Sequence, residues 1–170
     1  MSIHAVASAE GGITRLAFAR ALGKGVDVDA LLRKAGLSRM QIEDPHARIH
    51  VRSQVVFLDL VAKALDDDLL GFHLSQDFDL RMIGLLYYVF ASSETLGEAL
   101  GRVARYSSIV NESFRATVRE GKEIDVILES VDIPRRLNRH QIEFWFVTFI
   151  RVCRENSQTS FNSKSCMLCP

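Results

Sequence analysis

Charge of one sign is what this sequence lacks most plainly: 21 Lys and Arg stand against 21 Asp and Glu, a formal net charge of zero. Proteins that neutralise several phosphates carry a basic surplus, so these 170 residues alone are expected to bind nucleic acid poorly. Long apolar runs are missing too. No stretch approaches the roughly 18 uninterrupted apolar residues of a membrane span, and the start MSIHAVASAEGG has no basic segment leading into an apolar one. A cytoplasmic location without membrane contact is the expectation. Cysteine is scarce, with three residues, and two of them fall at Cys166 and Cys169, so the disulfide framework of small secreted domains is excluded. Catalytic signatures are absent as well. There is no G-x-S-x-G, P-loop or G-x-G-x-x-G, and Gly11-Gly12 precedes a helix without the flanking strand a phosphate loop needs. Of the histidines His4, His46, His50, His73 and His140, only His46 and His50 stand at H-x-x-x-H spacing, and they follow Asp44-Pro45 into a segment that reads as extended, which does not put the two rings on one helical face. No enzymatic site and no cofactor are implied.

What is present is the material of one ordinary domain, 48% hydrophobic and 25% charged, long enough to bury a core. Ile13, Leu16, Phe18 and Leu22 share one side of a predicted helix that Gly23 and Gly25 end. Asp27 or Asp29 caps a short helix from Ala30 to Ala35, Gly36 stops it, and Ser38 caps Arg39 to Ile42 before Asp44-Pro45. Arg48 to Val51 reads as extended. Ser53 then opens a helix from Gln54 to Leu65, on which Val55, Leu58, Val61, Ala62 and Leu65 keep the helical period. A turn at Leu69 to Ser75 and helices over Met82 to Phe90 and Leu96 to Tyr106 follow, the last with Ser93 as its cap. Beyond Asn111 the period changes to two. Phe114, Ala116 and Val118 alternate, Glu120-Gly121-Lys122 turns, and Ile124, Val126 and Leu128 alternate again, which predicts a hairpin. Ile142, Trp145, Phe146, Phe149, Ile150 and Cys153 mark a buried helix from Arg139 to Arg154, and Ser165 to Leu168 begins another strand. The fold class is α+β, a helix-rich domain with a small antiparallel sheet.

Three local patterns invite chemistry, and each has a plainer reading. Cys166-Met167-Leu168-Cys169 has metal or redox spacing, but no second pair accompanies it, and two incidental thiols are preferred. Asp66-Asp67-Asp68 lacks the glycine loop and distal Glu of a calcium site and is read as a solvated helix start. Ala30 to Ile42 has helix-turn-helix spacing, yet its second helix is short and offers only Arg39 and Gln41 to a groove.

The most informative segment is Ile83 to Tyr106, IGLLYYVFASSETLGEALGRVARY. Its Gly84-Leu85, Tyr88, Ser92-Ser93, Thr95-Leu96, Glu98-Ala99-Leu100 and Arg105-Tyr106 resemble the arabinose-binding-type sensor domain of AraC-type transcriptional regulators. Weaker likeness starts near Leu31 and includes the AGL turn at Ala35 to Leu37, Asp44 to Ile49, and Leu69 to Leu74. The resemblance implies a non-catalytic effector-sensing domain over 27–170, preceded by a helical segment over 1–26. It also implies a small-molecule effector, a homodimer, and DNA contact only through a helix-turn-helix domain outside this chain. The family's sensor continues with further strands past Lys164 to Leu168, so the chain is expected to be a partial sensor. Tyr87, Tyr88, Phe90, Tyr106, Phe114 and Trp145 are the candidates to line an effector pocket, which is typically apolar with a few polar handles, and plain core packing is the competing reading for each. Arg115 and Arg119 are candidates to meet an anionic effector, and a solvated strand face explains them equally well. The competing reading is a helical module that only dimerises.

Overall fold

Glycines and short capping side chains cut the N-terminal half into helices, as seen in a computed structural model that describes residues 7–121, 123–131 and 133–156. Helix α1, Gly12–Gly23, buries Ile13, Thr14, Ala17 and Ala21, whereas Leu22 is exposed. The buried face is therefore the small-residue face rather than the Leu16 to Leu22 side, and it lies close against a later helix. Helix α2, Val28–Ala35, is capped by Asp27, whose carboxylate accepts from the Ala30 N–H at 3.1 Å, and Gly36 ends it at φ 69°. Ser38 and Gln41 form a reciprocal capping box on α3, Arg39–Glu43. The helix-turn-helix-like pair is a core element: Leu31, Leu32 and Ile42 are buried, and Arg39 is held by Asp29 at 2.9 Å and stacks over Phe18.

Strands β1, Ser8–Ala9, and β2, Ile49–His50, pair antiparallel, and α4, Val51–Leu65, follows at once. This helix begins earlier than the Ser53 cap predicts. The reason is that the Val51 N–H donates to the carbonyl of Ala7, the residue before β1, at 3.0 Å, so the first amide is satisfied and needs no hydroxyl. Asp67 accepts from the Leu69 N–H at 3.1 Å, ahead of α5, Leu70–Asp77, and also contacts His73 at 2.9 Å and Arg20 at 3.6 Å.

The predicted helix Met82 to Phe90 is two elements. A 3-10 turn at Leu80–Ile83 is separated from α6, Leu85–Ala91, by Gly84 at φ 66°, ψ −132°, a conformation open to glycine alone. Helix α7 runs Leu96–Val110, longer than predicted, and its cap is Thr95, whose Oγ1 accepts from the Glu98 N–H at 3.2 Å. Ser93 is not that cap. Its hydroxyl donates backward to the Val89 carbonyl at 2.8 Å and closes α6 instead.

The hairpin forms where predicted, with β3, Phe114–Glu120, against β4, Ile124–Ser130, in a register that sets Ala116 opposite Leu128 and Val118 opposite Val126. Helix α8, Arg139–Asn156, lies on α5, while α7 lies on β3. Its buried line is Gln141, Phe144, Thr148, Val152 and Cys153, turned from the predicted stripe, since Phe146 and Ile150 are only half-buried. Ala9 bridges to Asn111, and the Arg48 guanidinium donates to the Ser8 carbonyl at 3.1 Å and the Ile109 carbonyl at 2.9 Å. The N-terminal strand thus anchors the junction of α7 and β3. The architecture is α+β, with the described strands in two small antiparallel sheets. The expected strand at Ser165 to Leu168 and the Cys166 and Cys169 pair lie outside the described residues.

Candidate functional site: an apolar cavity beneath the hairpin

Between the hairpin and the helices lies a partly open cavity of about 100 Å³. Strand alternation puts Phe114 and Ala116 on the hairpin's inner face, with Val126 and Leu128 from the facing strand. Helix α7 adds Leu100, Val103, Ala104 and Ser107, and α8 adds Trp145, Thr148, Phe149 and Val152; both sets follow the i, i+3, i+4, i+7 spacing of one helical face. Leu86, Tyr87 and Phe90 of α6 close the side. Ala104 and Ala116 are the smallest side chains in its lining. Among the described residues that line it, none is Asp, Glu, Lys, Arg or His.

The wall is nearly all hydrocarbon, and three of its residues carry polar atoms buried behind it. Asn111 Nδ2, Trp145 Nε1 and Thr148 Oγ1 are buried and have no hydrogen-bond partner. Asn111 ends a buried chain of side chains that crosses the core. Thr14 donates to Gln54 at 2.8 Å, Gln54 donates to Gln141, Gln141 donates to the Ser113 hydroxyl at 3.3 Å, and that hydroxyl donates to Asn111 Oδ1 at 2.7 Å. The five residues come from α1, α4, α8 and the entry to β3, and each is buried. Beside the cavity is a smaller recess of about 20 Å³ that shares Asn111 and Trp145 and borders Glu10. Burial raises the Glu10 carboxyl above its ordinary value, and Arg48 and Arg15 pull it part of the way back.

Of the expected pocket residues, Tyr87, Phe90, Phe114 and Trp145 line this cavity. Tyr88 and Tyr106 do not. Tyr88 is 60% exposed, its ring edge-on to Tyr87, and Tyr106 is 39% exposed on the outer side of α7. Arg115 and Arg119 alternate onto the hairpin's outer face, opposite Glu129 and Asp125 in the strand register, so they meet no cavity ligand. The motif residues Gly84, Thr95, Ala99 and Leu100 serve the turn, the cap and the core, whereas Leu85 and Arg105 are exposed. Sequence reasoning missed Ser107, Asn111 and Thr148. The α7 stripe carried a signal for Ser107, because the residue sits one helical repeat beyond Leu100.

No cluster of His, Cys, Asp and Glu suited to a metal ion occurs among the described residues. The Cys153 thiol is buried and pushed up to about 12, so it stays protonated and unreactive at neutral pH. No described helix is long and apolar enough to cross a membrane.

An apolar cavity framed by separate elements is the usual form of a small-molecule binding site. Residues 25–164 match the family described as the arabinose-binding domain of AraC transcription regulators, N-terminal, and the chain belongs to that family. It is an effector-sensing regulatory module of AraC-type regulators, a domain that in those regulators binds a small-molecule effector. No curated protein matches the sequence.

Proposed function

We propose that the cavity beneath the hairpin is the effector site, with Tyr87, Phe114 and Trp145 in contact with the ligand. The observation that carries this reading is the origin of its walls: the hairpin supplies one side and α6, α7 and α8 the others, so one occupant touches all of them. A ligand that packs better against one arrangement of these elements than another shifts their population by its difference in affinity, and no catalysis is needed. The buried chain from Asn111 to Thr14 gives such a shift a continuous path from the cavity to α1. Control of transcription then follows through a helix-turn-helix DNA-binding domain joined to the sensor, with the protein acting as a homodimer. Met82, Leu85 and Tyr88, at 69%, 64% and 60% exposure, offer an apolar face from the Gly84 turn and α6 for contact between copies.

A thermal-shift screen of a metabolite library tests the site, run in parallel on the Ala104→Phe variant, whose phenyl ring fills the cavity. Stabilisation grows as RT ln(1 + [L]/Kd), so a ligand raises the midpoint of the native chain in proportion to its concentration. The same ligand leaves the variant's midpoint unchanged. A ligand that stabilises both proteins equally binds elsewhere and overturns the assignment.

A further inference from the structure

We propose that the effector is a small amphiphile that enters this cavity hydrocarbon end first, as a short alkyl chain or small ring of about four carbons, and leaves its polar group at the open side. The inference rests on reading the cavity as the effector site. Little polar surface faces the space. Asn111 Nδ2, Trp145 Nε1 and Thr148 Oγ1 are each occluded by the packing around them. The Ser107 hydroxyl is donated to the Ala104 carbonyl at 3.1 Å, within its own helix. What meets a ligand is the hydrocarbon of side chains such as Leu86, Leu100, Val126, Leu128 and Phe149. Affinity on such a wall comes from apolar area removed from water and from close packing, with no directional bond to satisfy.

The same wall excludes other classes. A sugar carries a hydroxyl on nearly every carbon, and enclosed here most of those groups would be buried without partners, each weakening binding roughly 5- to 150-fold. A carboxylate or ammonium taken inside would lie among lining residues that include no opposite charge. Size sets the carbon count. An engineered apolar cavity of about 150 Å³ takes up benzene, with its six carbons, and on that scale the cavity here, about 100 Å³, takes about four. Each methylene added within that limit tightens binding about fourfold. One added beyond it extends through the open side and gains less.

Trp145 is the only tryptophan in the chain and lines the cavity, so its single indole N–H resonance in a nitrogen-proton correlation spectrum reports on the site. The full chain and its Ala104→Val and Ala104→Phe variants are titrated with the straight-chain primary alcohols from ethanol to octanol, with the butanediol that carries a hydroxyl at each end, and with L-arabinose. In the native chain Kd is expected to fall about fourfold per methylene up to about butanol and then to level off. The diol, which must bury one hydroxyl, binds roughly 5- to 150-fold more weakly than butanol, and arabinose leaves the resonance in place. Ala104→Val moves the levelling to a shorter alcohol, and Ala104→Phe loses the response to all of them. A Kd that ignores chain length, a diol that matches butanol, saturable binding of arabinose, or a levelling that stays put in Ala104→Val overturns the inference and leaves the cavity standing as the effector site. Alcohol responses that persist in Ala104→Phe, or silence toward every probe, also overturn it, and the thermal-shift comparison of the native chain with Ala104→Phe then judges the site separately.

Discussion

A methyl group at Gly71 would lie 2.1 Å from the His140 carbonyl oxygen, nearer than any real contact, and that single missing side chain sets how closely α5 approaches α8. Gly71→Ala is expected to destabilise the fold by about 1 to 3 kcal/mol through overpacking, measured as a lower urea midpoint at constant slope. Gly23, where an added Cβ meets nothing within 4 Å, is the control. The Cys153 thiol adds a pH dependence. Its folded value is pushed up to about 12 from an ordinary 9.0 because burial disfavours the thiolate. The unfolded chain releases this proton first, so the stabilisation is complete below pH 9 and is lost as pH rises toward 12. Urea midpoints measured up to about pH 10.5 should fall, and Cys153→Ala should flatten that decline relative to the native chain.

At the scale of elements, the sequence periods located most of the helices and the hairpin, but caps and buried polar residues escaped them. Ser93 and Thr95 are equally good capping types. Only the backbone shows that Ser93 closes α6 by donating to Val89 while Thr95 opens α7. Strand β1 has two residues, too few for a period of two to show. In α8 the polar Gln141 and Thr148 lie on the buried face, which is why the predicted stripe pointed elsewhere and omitted Phe144. Gln141 belongs to the hydrogen-bonded chain and Thr148 to the cavity wall, so the failure of the hydrophobic pattern marks the candidate site. Thr95→Ala should cost about 1 kcal/mol, whereas Ser93→Ala, outside the α7 cap, should cost less; thermal midpoints of the two variants compare them. Leu100 is 3% exposed and touches the cavity, and Leu100→Ala should cost roughly 2 to 5 kcal/mol by denaturant unfolding. A loss under about 0.5 kcal/mol would place Leu100 at the surface and break the account of α7.

For the molecule as a whole, zero net charge and a helix-turn-helix-like segment locked into the core agree in one expectation. The chain alone should bind duplex DNA weakly and without sequence preference, and filter binding at physiological salt checks it against the nanomolar range of specific complexes. The family assignment and the α+β architecture were both legible in the Ile83 to Tyr106 segment and the hairpin alternation. The buried, unpartnered Asn111 amide and Trp145 indole were not, because lacking a partner is a property of packing and leaves no trace in composition. The central claim is that the effector sits beneath the hairpin and joins it to the helices. Hydrogen exchange on the full chain, with and without a ligand found in the thermal-shift screen, tests this most directly, since amide protection follows local opening. The account predicts that the ligand slows exchange in β3, β4, α7 and α8 together, and that Ala104→Phe abolishes the effect. Protection confined to α1 through α4, with the hairpin unchanged, would contradict it.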